Sequence, residues 1–158
     1  MNEKRRLLGM TLDELKGVAF EAGLPGYAAK QMADWLYKKK VTSIAAMTNI
    51  ASAKRALLEK NFEVGAVPPS DLMKSVDGTI KYLYPAGPGN FVESVYIPTE
   101  DRATLCVSSQ VGCKMNCLFC MTGKQGFTKN LSANEILNQI QSLPETEAGE
   151  GIVAALVA

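Results

Sequence analysis

The amino-acid sequence predicts an α/β protein, α+β in overall arrangement, with a small helical module, a β-meander and a closing strand–loop–helix unit. Three observations predict it. Apolar residues recur at helical spacing through the first sixty positions, alternate at period two from Thr79 to Ser108, and return to helical spacing after Ser132. The 158 residues, 47% of them apolar, suffice for a packed core.

The elements follow in order. Thr11-Leu-Asp-Glu14 has the spacing of a capping box; Leu12, Leu15, Val18 and Ala19 form an apolar stripe that Gly23 and Pro25-Gly26 terminate. A second helix is expected over Tyr27 to Lys40, with Met32, Trp35 and Leu36 on its buried side. Ile44 to Asn61 supplies one or two more, with Leu57 and Leu58 apolar. Gly65-Ala-Val-Pro-Pro-Ser70 then reads as a linker. Three strands follow, Thr79 to Tyr84, Phe91 to Ile97 and Ala103 to Ser108, separated by the turn-rich segments Pro85 to Asn90 and Pro98 to Asp101. Ser132-Ala-Asn-Glu135 is a second capping box, with Leu131 and Ile136 in the staple positions. Ile136, Leu137, Ile140 and Leu143 supply the apolar face of that helix before Pro144. The tail is acidic from Glu145, then apolar from Ile152, and is expected to form a buried parallel strand whose partners the chain does not supply.

Charge divides along the same boundary. Residues 1–60 carry eleven Lys and Arg against six Asp and Glu, a net of +5; residues 61–158 carry six against ten, a net of −4. The whole-chain charge of +1 provides no global field for nucleic acid, so any such preference is local. The expected organisation is a basic helical module over 1–64, a linker and meander over 65–101, and a strand–loop–helix unit over 102–158.

Histidine is absent, which excludes Ser-His-Asp and Cys-His catalysis, histidine-ligated metal sites and histidine proton shuttles. Metal binding falls to cysteines or carboxylates. The four cysteines, Cys106, Cys113, Cys117 and Cys120, share one short window, a clustering that suggests a metal site rather than a disulfide framework. The N-terminus has no apolar run suited to a signal peptide and no segment approaches a membrane span, so a reducing cytoplasm is the expected compartment.

Cys113-Lys-Met-Asn-Cys117-Leu-Phe-Cys120 places three thiols in the pattern C-x3-C-x2-C. A structural zinc site wants four tetrahedral ligands, whereas three thiolates on a four-iron cluster leave one iron open to chelate a substrate or cofactor. Cys106 could instead complete an all-cysteine zinc site. That alternative makes the chain a non-catalytic RNA-binding module.

The C-x3-C-x2-C loop, with Phe119 before its last cysteine, resembles the radical S-adenosylmethionine (SAM) superfamily. The longer string Arg102-Ala-Thr-Leu-Cys-Val-Ser-Ser-Gln-Val-Gly-Cys-Lys-Met-Asn-Cys-Leu-Phe-Cys-Met-Thr-Gly-Lys-Gln-Gly-Phe-Thr-Lys-Asn-Leu-Ser132 resembles its RlmN/Cfr family of RNA adenine methyltransferases, and the RlmN branch most. The resemblance extends more loosely upstream through Phe91-Val-Glu-Ser-Val-Tyr-Ile-Pro98 and the helical module. It implies methylation of adenine C2 in 23S rRNA and tRNA. A different radical SAM enzyme is a further alternative, disfavoured by Cys106 and its surrounding string.

The resemblance implies roles residue by residue. Cys113, Cys117 and Cys120 would hold a [4Fe–4S] cluster whose open iron SAM chelates, and an external one-electron reductant would drive SAM cleavage to a 5′-deoxyadenosyl radical. Phe119 would lie near the SAM adenine. Cys106 would form a transient disulfide that releases product, and Glu93 would accept a proton from the RNA adduct. Lying in an apolar strand beside Phe91, Val95 and Ile97, Glu93 is expected to have its pKa raised by desolvation. Gly123-Lys-Gln-Gly126 lacks a P-loop pattern and is expected to be a turn packed near the cluster, where Lys124 offsets charge. Lys38, Lys39 and Lys40, with Lys4, Arg5, Arg6, Lys54 and Arg55, are candidate phosphate contacts.

Two family features are absent from the sequence: a Gly-Glu-Pro-type SAM segment after Pro144, and a further cysteine to carry the methyl group. The chain is therefore expected to be the N-terminal part of a radical SAM α/β barrel, incomplete here and unable by itself to complete methyl transfer. The full-length form is expected to be a monomer with no membrane association.

Overall fold

The computed structural model describes residues 4–144 and the backbone of residues 152–157. The acidic stretch read at residues 145–151 lies outside the described residues. The chain divides into two compact units, the first ending at Ala66 and the second beginning at Val67.

The first unit is helical. Its chain enters as β1 (Arg5–Arg6) and leaves as β2 (Phe62–Glu63); these short strands pair in parallel, and the Leu7 and Leu8 amides extend the ladder onto Glu63 and Val64. Between them lie α1 (Leu12–Glu21), α2 (Ala28–Ala33), a 3-10 turn at Ile44–Ala46 and α3 (Ser52–Asn61). Thr11 caps α1 as its sequence requires: Thr11 Oγ1 accepts from the Glu14 amide, and Glu14 Oε2 accepts from the Thr11 amide at 2.7 Å. At the other end Gly23 takes φ +61°, and Lys54 Nζ donates to the Ala22 carbonyl at 3.0 Å, satisfying a helix end that would otherwise lack a partner.

One helix differs from expectation. The segment read as a single helix over 27–40 is α2 followed by a π-helical turn, Asp34–Lys38, in which the Lys39 amide reaches back five residues to the Asp34 carbonyl. The wider turn lets Leu36 enter the core while Tyr37 Oη accepts from the Gly9 amide and donates to the Met10 carbonyl. Leu15, Val18, Met32, Leu36, Met47 and Leu58 fill that core, whereas Leu12 and Leu57 remain exposed.

The second unit is built on a five-stranded sheet. Its first four strands, β3 (Asp71–Lys74), β4 (Ile80–Pro85), β5 (Phe91–Pro98) and β6 (Ala103–Ser108), form an antiparallel meander. All four residues of β3 are exposed, so this edge strand carries no alternating signal that its sequence could reveal. Two further strands, β7 (Gln110–Val111) and β8 (Lys129–Asn130), pair antiparallel and enclose α4 (Met121–Lys124). After α5 (Ala133–Gln141), the tail returns as β9 (Ile152–Val157). The expectation that this strand lacks a partner in the chain is corrected: β9 runs parallel to β6, from Ala103 opposite Ile152 to Ser108 opposite Val157. The loop and α5 between the two strands supply the long connection that a parallel return needs, and β6 has a second edge to offer.

Register sorts the sheet into two faces. Tyr82, Tyr84, Val92, Tyr96, Leu105 and Val107 are buried on one face with Leu131 and Leu143. Ile136 and Ile140 of α5 pack against this cluster, only half-buried, and Leu137 is also half-buried. The most buried helix residues are instead polar: Asn134, Asn138 and Gln139. The burial of Asn138 and Gln139 is satisfied by the backbone. Gln139 bonds both the amide and the carbonyl of Ser108 at 2.9 Å, and Asn138 bonds both of those groups on Val67 at 2.8 Å.

Replacing Gln139 with Ala leaves two part-buried backbone groups at the end of β6 without their side-chain partner and is expected to destabilise the second unit by about 1–3 kcal/mol, read from urea denaturation. Glu135 provides a pH test. Burial acts to raise its pKa, but Lys129 at 2.7 Å, with the Ser132 amide and hydroxyl, outweighs burial and holds it below 4.5. The stabilisation is therefore present above pH 4.5 and is lost as pH falls through the lowered value. Glu135→Gln should lower the urea midpoint at pH 7 and flatten its acid dependence.

Candidate active site

The face of the sheet opposite α5 lines a cavity of about 520 Å³. Val95 of β5 pairs with Lys81 on one side and Cys106 on the other, forming a row across three strands. Glu93 lies two residues from Val95, opposite Leu83, and Ser108 Oγ donates to its carbonyl at 2.7 Å. Lys81, Glu93, Cys106 and Ser108 thus meet on one wall, while Gly112, Met121, Thr122 and Gln125 line the cavity from the cysteine loop.

The loop hangs from a narrow clasp. At its base Gln110 pairs with Asn130 and Val111 with Lys129, the Thr128 amide bonds the Val111 carbonyl, and the Leu131 amide bonds the Ser109 carbonyl. Gly112 has φ +71°, and a Cβ there would lie 1.6 Å from the Gly126 carbonyl oxygen, so only glycine fits. Gly123 of α4 rests against the backbone of Asn116 and Cys117, where an added Cβ would meet the Cys117 nitrogen at 3.0 Å. Lys114 lies over the Phe127 ring at 4.3 Å and links the two arms.

Within this frame Cys113, Cys117 and Cys120 are half-buried and free of disulfides. The Cys120 amide bonds the Cys117 carbonyl at 3.1 Å, and the Met115 amide donates to Cys113 Sγ at 3.4 Å. The backbone amide of Gly123 holds the Cys120 thiol below its ordinary pKa; burial opposes this, and the Thr122 amide and hydroxyl reinforce it. The thiolate is the form that binds metals. Among the described residues no three Cys, Asp or Glu side chains converge at ligating distance, so the loop presents its thiols without closing them on one point.

Residues 5–64 match the family described as the ribosomal RNA large subunit methyltransferase N-terminal domain. The chain is 78% identical over 153 residues to a probable dual-specificity RNA methyltransferase RlmN of Parabacteroides distasonis, covering 97% of this chain and 45% of that protein. It is 61% identical over 153 residues to a protein of the same description from Bacteroides thetaiotaomicron, covering 97% and 44%. The resemblance to RlmN holds over nearly the whole chain. A crystal structure of a radical SAM methyltransferase from Sphaerobacter thermophilus shares the fold, with a TM-score of 0.83 and 35% identity over 94% of this chain and 44% of that one. The chain thus spans somewhat under half the length of the RlmN relatives it matches.

The site residues read from sequence fall in three places. Glu93 and Cys106 line the cavity together from the sheet, whereas Cys113, Cys117 and Cys120 do not line it; their chain neighbours Gly112 and Met121 do. Phe119 does not line it: the ring is 93% exposed at the loop apex, near the exposed Met115, Leu118 and Met121. The desolvation expected around Glu93 is absent. Its side chain is 55% exposed and 3.4 Å from Lys81 Nζ, because the buried face of β5 is that of Val92, Ser94 and Tyr96. Lys81, Ser108, Thr122 and Gln125 were not legible as site residues; for Lys81 the signal was its alternation with the buried Tyr82 and Tyr84.

The expected phosphate contacts are mostly engaged within the chain. Arg5 pairs with Glu21, Arg6 with Glu63 and Lys38 with Asp34; Arg55 donates to the Ala45 carbonyl, and Lys39 lies 3.5 Å over the Trp35 ring. Among the described residues no helix is long and apolar enough to cross a membrane.

Gly112→Ala should prevent the clasp from closing. The expected result is a loss of about 2 kcal/mol or more and faster alkylation of Cys113, Cys117 and Cys120 by a thiol reagent, with the helical content of the first unit unchanged.

Proposed function

We propose that this chain is the N-terminal, cluster-bearing part of a radical SAM RNA methyltransferase that methylates adenine C2 in 23S rRNA and tRNA. The observation that carries the reading is the convergence on one cavity of Glu93, Cys106 and the residues that flank the C-x3-C-x2-C segment, Gly112, Met121, Thr122 and Gln125. The donor set fits a [4Fe–4S] cluster: three thiols on one clasped loop, that of Cys120 with its pKa lowered by the Gly123 amide, and no fourth cysteine among the loop residues. Cys113, Cys117 and Cys120 would hold it, and when bound it supplies the electron for reductive cleavage of SAM.

The remaining roles belong to the sheet. Glu93 takes a proton from the covalent RNA adduct, and Cys106 bonds to the sulfur that departs, so both must face the same side of one bound base. Their strand register provides this. The sulfur belongs to a cysteine outside these residues, since the chain's four are engaged otherwise, and the chain by itself should not complete a turnover. An external one-electron reductant, a monomeric full-length enzyme and a reducing cytoplasm, where free thiols persist, belong to the same reading.

Anaerobic reconstitution with iron and sulfide tests it. The expected product is brown and air-sensitive, with about four irons per chain, and Cys113→Ala, Cys117→Ala or Cys120→Ala should each abolish it while Cys106→Ala retains it. One tightly held zinc per chain, dependent on Cys106, would sink the reading.

A further inference from the structure

We propose that Lys81 is a positioning residue for the Glu93 carboxylate, holding it over the row that Cys106 occupies. The inference rests on the reading of Glu93 as the proton acceptor.

The geometry is that of a diagonal cross-strand pair. Lys81 lies opposite Val95 and Glu93 opposite Leu83, so the two side chains share a face one step apart on adjacent strands, within reach of a long side chain. Lys81 Nζ closes to 3.4 Å from Glu93 Oε2. Of the other neighbours of Glu93 on that face, Phe91, Leu83 and Val95 are apolar, Cys106 carries a thiol, and the Ser108 hydroxyl is given to the Glu93 backbone carbonyl, so Lys81 is the one charged partner of the carboxylate among the lining residues. Asp71 shares the face two strands away and is itself an anion, its Oδ1 accepting from the Leu72 amide. Among the described residues lining the cavity, Lys81 is the sole cation and Glu93 the sole anion. Ser108 Oγ fixes the backbone of Glu93 from the opposite strand, so the carboxylate's direction is what remains to be set.

In open solvent such a pair is weak, with both side chains about half exposed. A planar ligand filling the cavity displaces water from around both groups, and the attraction grows as the local dielectric falls. The pair therefore orients Glu93 most firmly when a base is bound beside Cys106. Lys81 takes no part in the proton transfer.

Two measurements test this. In the chain as it stands, side-chain NMR couplings should report a biased Glu93 rotamer population and contacts between the Lys81 and Glu93 methylenes. Lys81→Met should average the rotamers and Lys81→Arg should keep them, with the Tyr82 and Tyr84 ring signals unchanged in both. Unchanged Glu93 rotamers in Lys81→Met would overturn the proposal, and Lys81→Gln provides the same comparison if Met disturbs the sheet. The second measurement uses a chimera in which this chain replaces the matching segment of the Parabacteroides distasonis relative. There Lys81→Met should lower kcat about tenfold with KM for RNA unchanged, and Lys81→Arg should restore most of it. A raised KM with unchanged kcat would overturn positioning in favour of a phosphate contact. Glu93→Gln in the same chimera tests the underlying reading separately: full activity there refutes the role of Glu93, while the rotamer result still decides whether Lys81 orients it.

Discussion

The pairing register of β5 with β6 is the constraint on which the site depends. Val95 opposite Cys106 places Cys106 and Ser108 on the open face with Glu93, and sends Leu105 and Val107 into the core with Tyr96. Side chains alternate at period two, so a slip of one residue would bury Glu93 and Cys106 and expose the aromatic core. That penalty is what makes the register secure. The packing of Tyr82, Tyr84 and Tyr96 therefore holds the chemical groups in place although none of these rings lines the cavity.

The remaining features transmit that register to the cysteine loop. Gln139 seizes both backbone groups of Ser108, where β6 ends, and Lys129 joins the closing strand of the loop to Glu135 in α5. Between these anchors Gly112 and Gly126 approach more closely than any side chain allows. The loop therefore has a rigid base and an exposed, apolar tip at Met115, Leu118 and Phe119. A base fixed to the sheet and an exposed tip suit the cluster-holding role proposed for the loop.

Much of this was legible in the residues. Both capping boxes announced their helices because a Thr or Ser three residues before a Glu satisfies two backbone amides locally, without help from the rest of the fold. The strands β4, β5 and β6 were visible through alternation, and the cysteine spacing identified the loop. What escaped were elements whose partners are distant: the exposed edge β3, the two-residue strands of the clasp, and the π-helical turn that seats Leu36 and Tyr37. The polar residues Asn138 and Gln139 escaped for the same reason. On a helical wheel they resemble solvent positions, and only their backbone partners on Val67 and Ser108 make burial tolerable.

By itself the sequence determined the local chemistry: three thiols at C-x3-C-x2-C spacing, no histidine, a Glu and a Cys on consecutive strands, and two capped helices. These depend on near neighbours along the chain, so composition and spacing reveal them. The tertiary structure decided which face of β5 is buried, leaving Glu93 half exposed beside Lys81, and gave the apolar tail a parallel partner in β6. It also turned Phe119 outward. Each of these outcomes depends on which strands pair and on which face α5 covers, a competition among distant segments for one core.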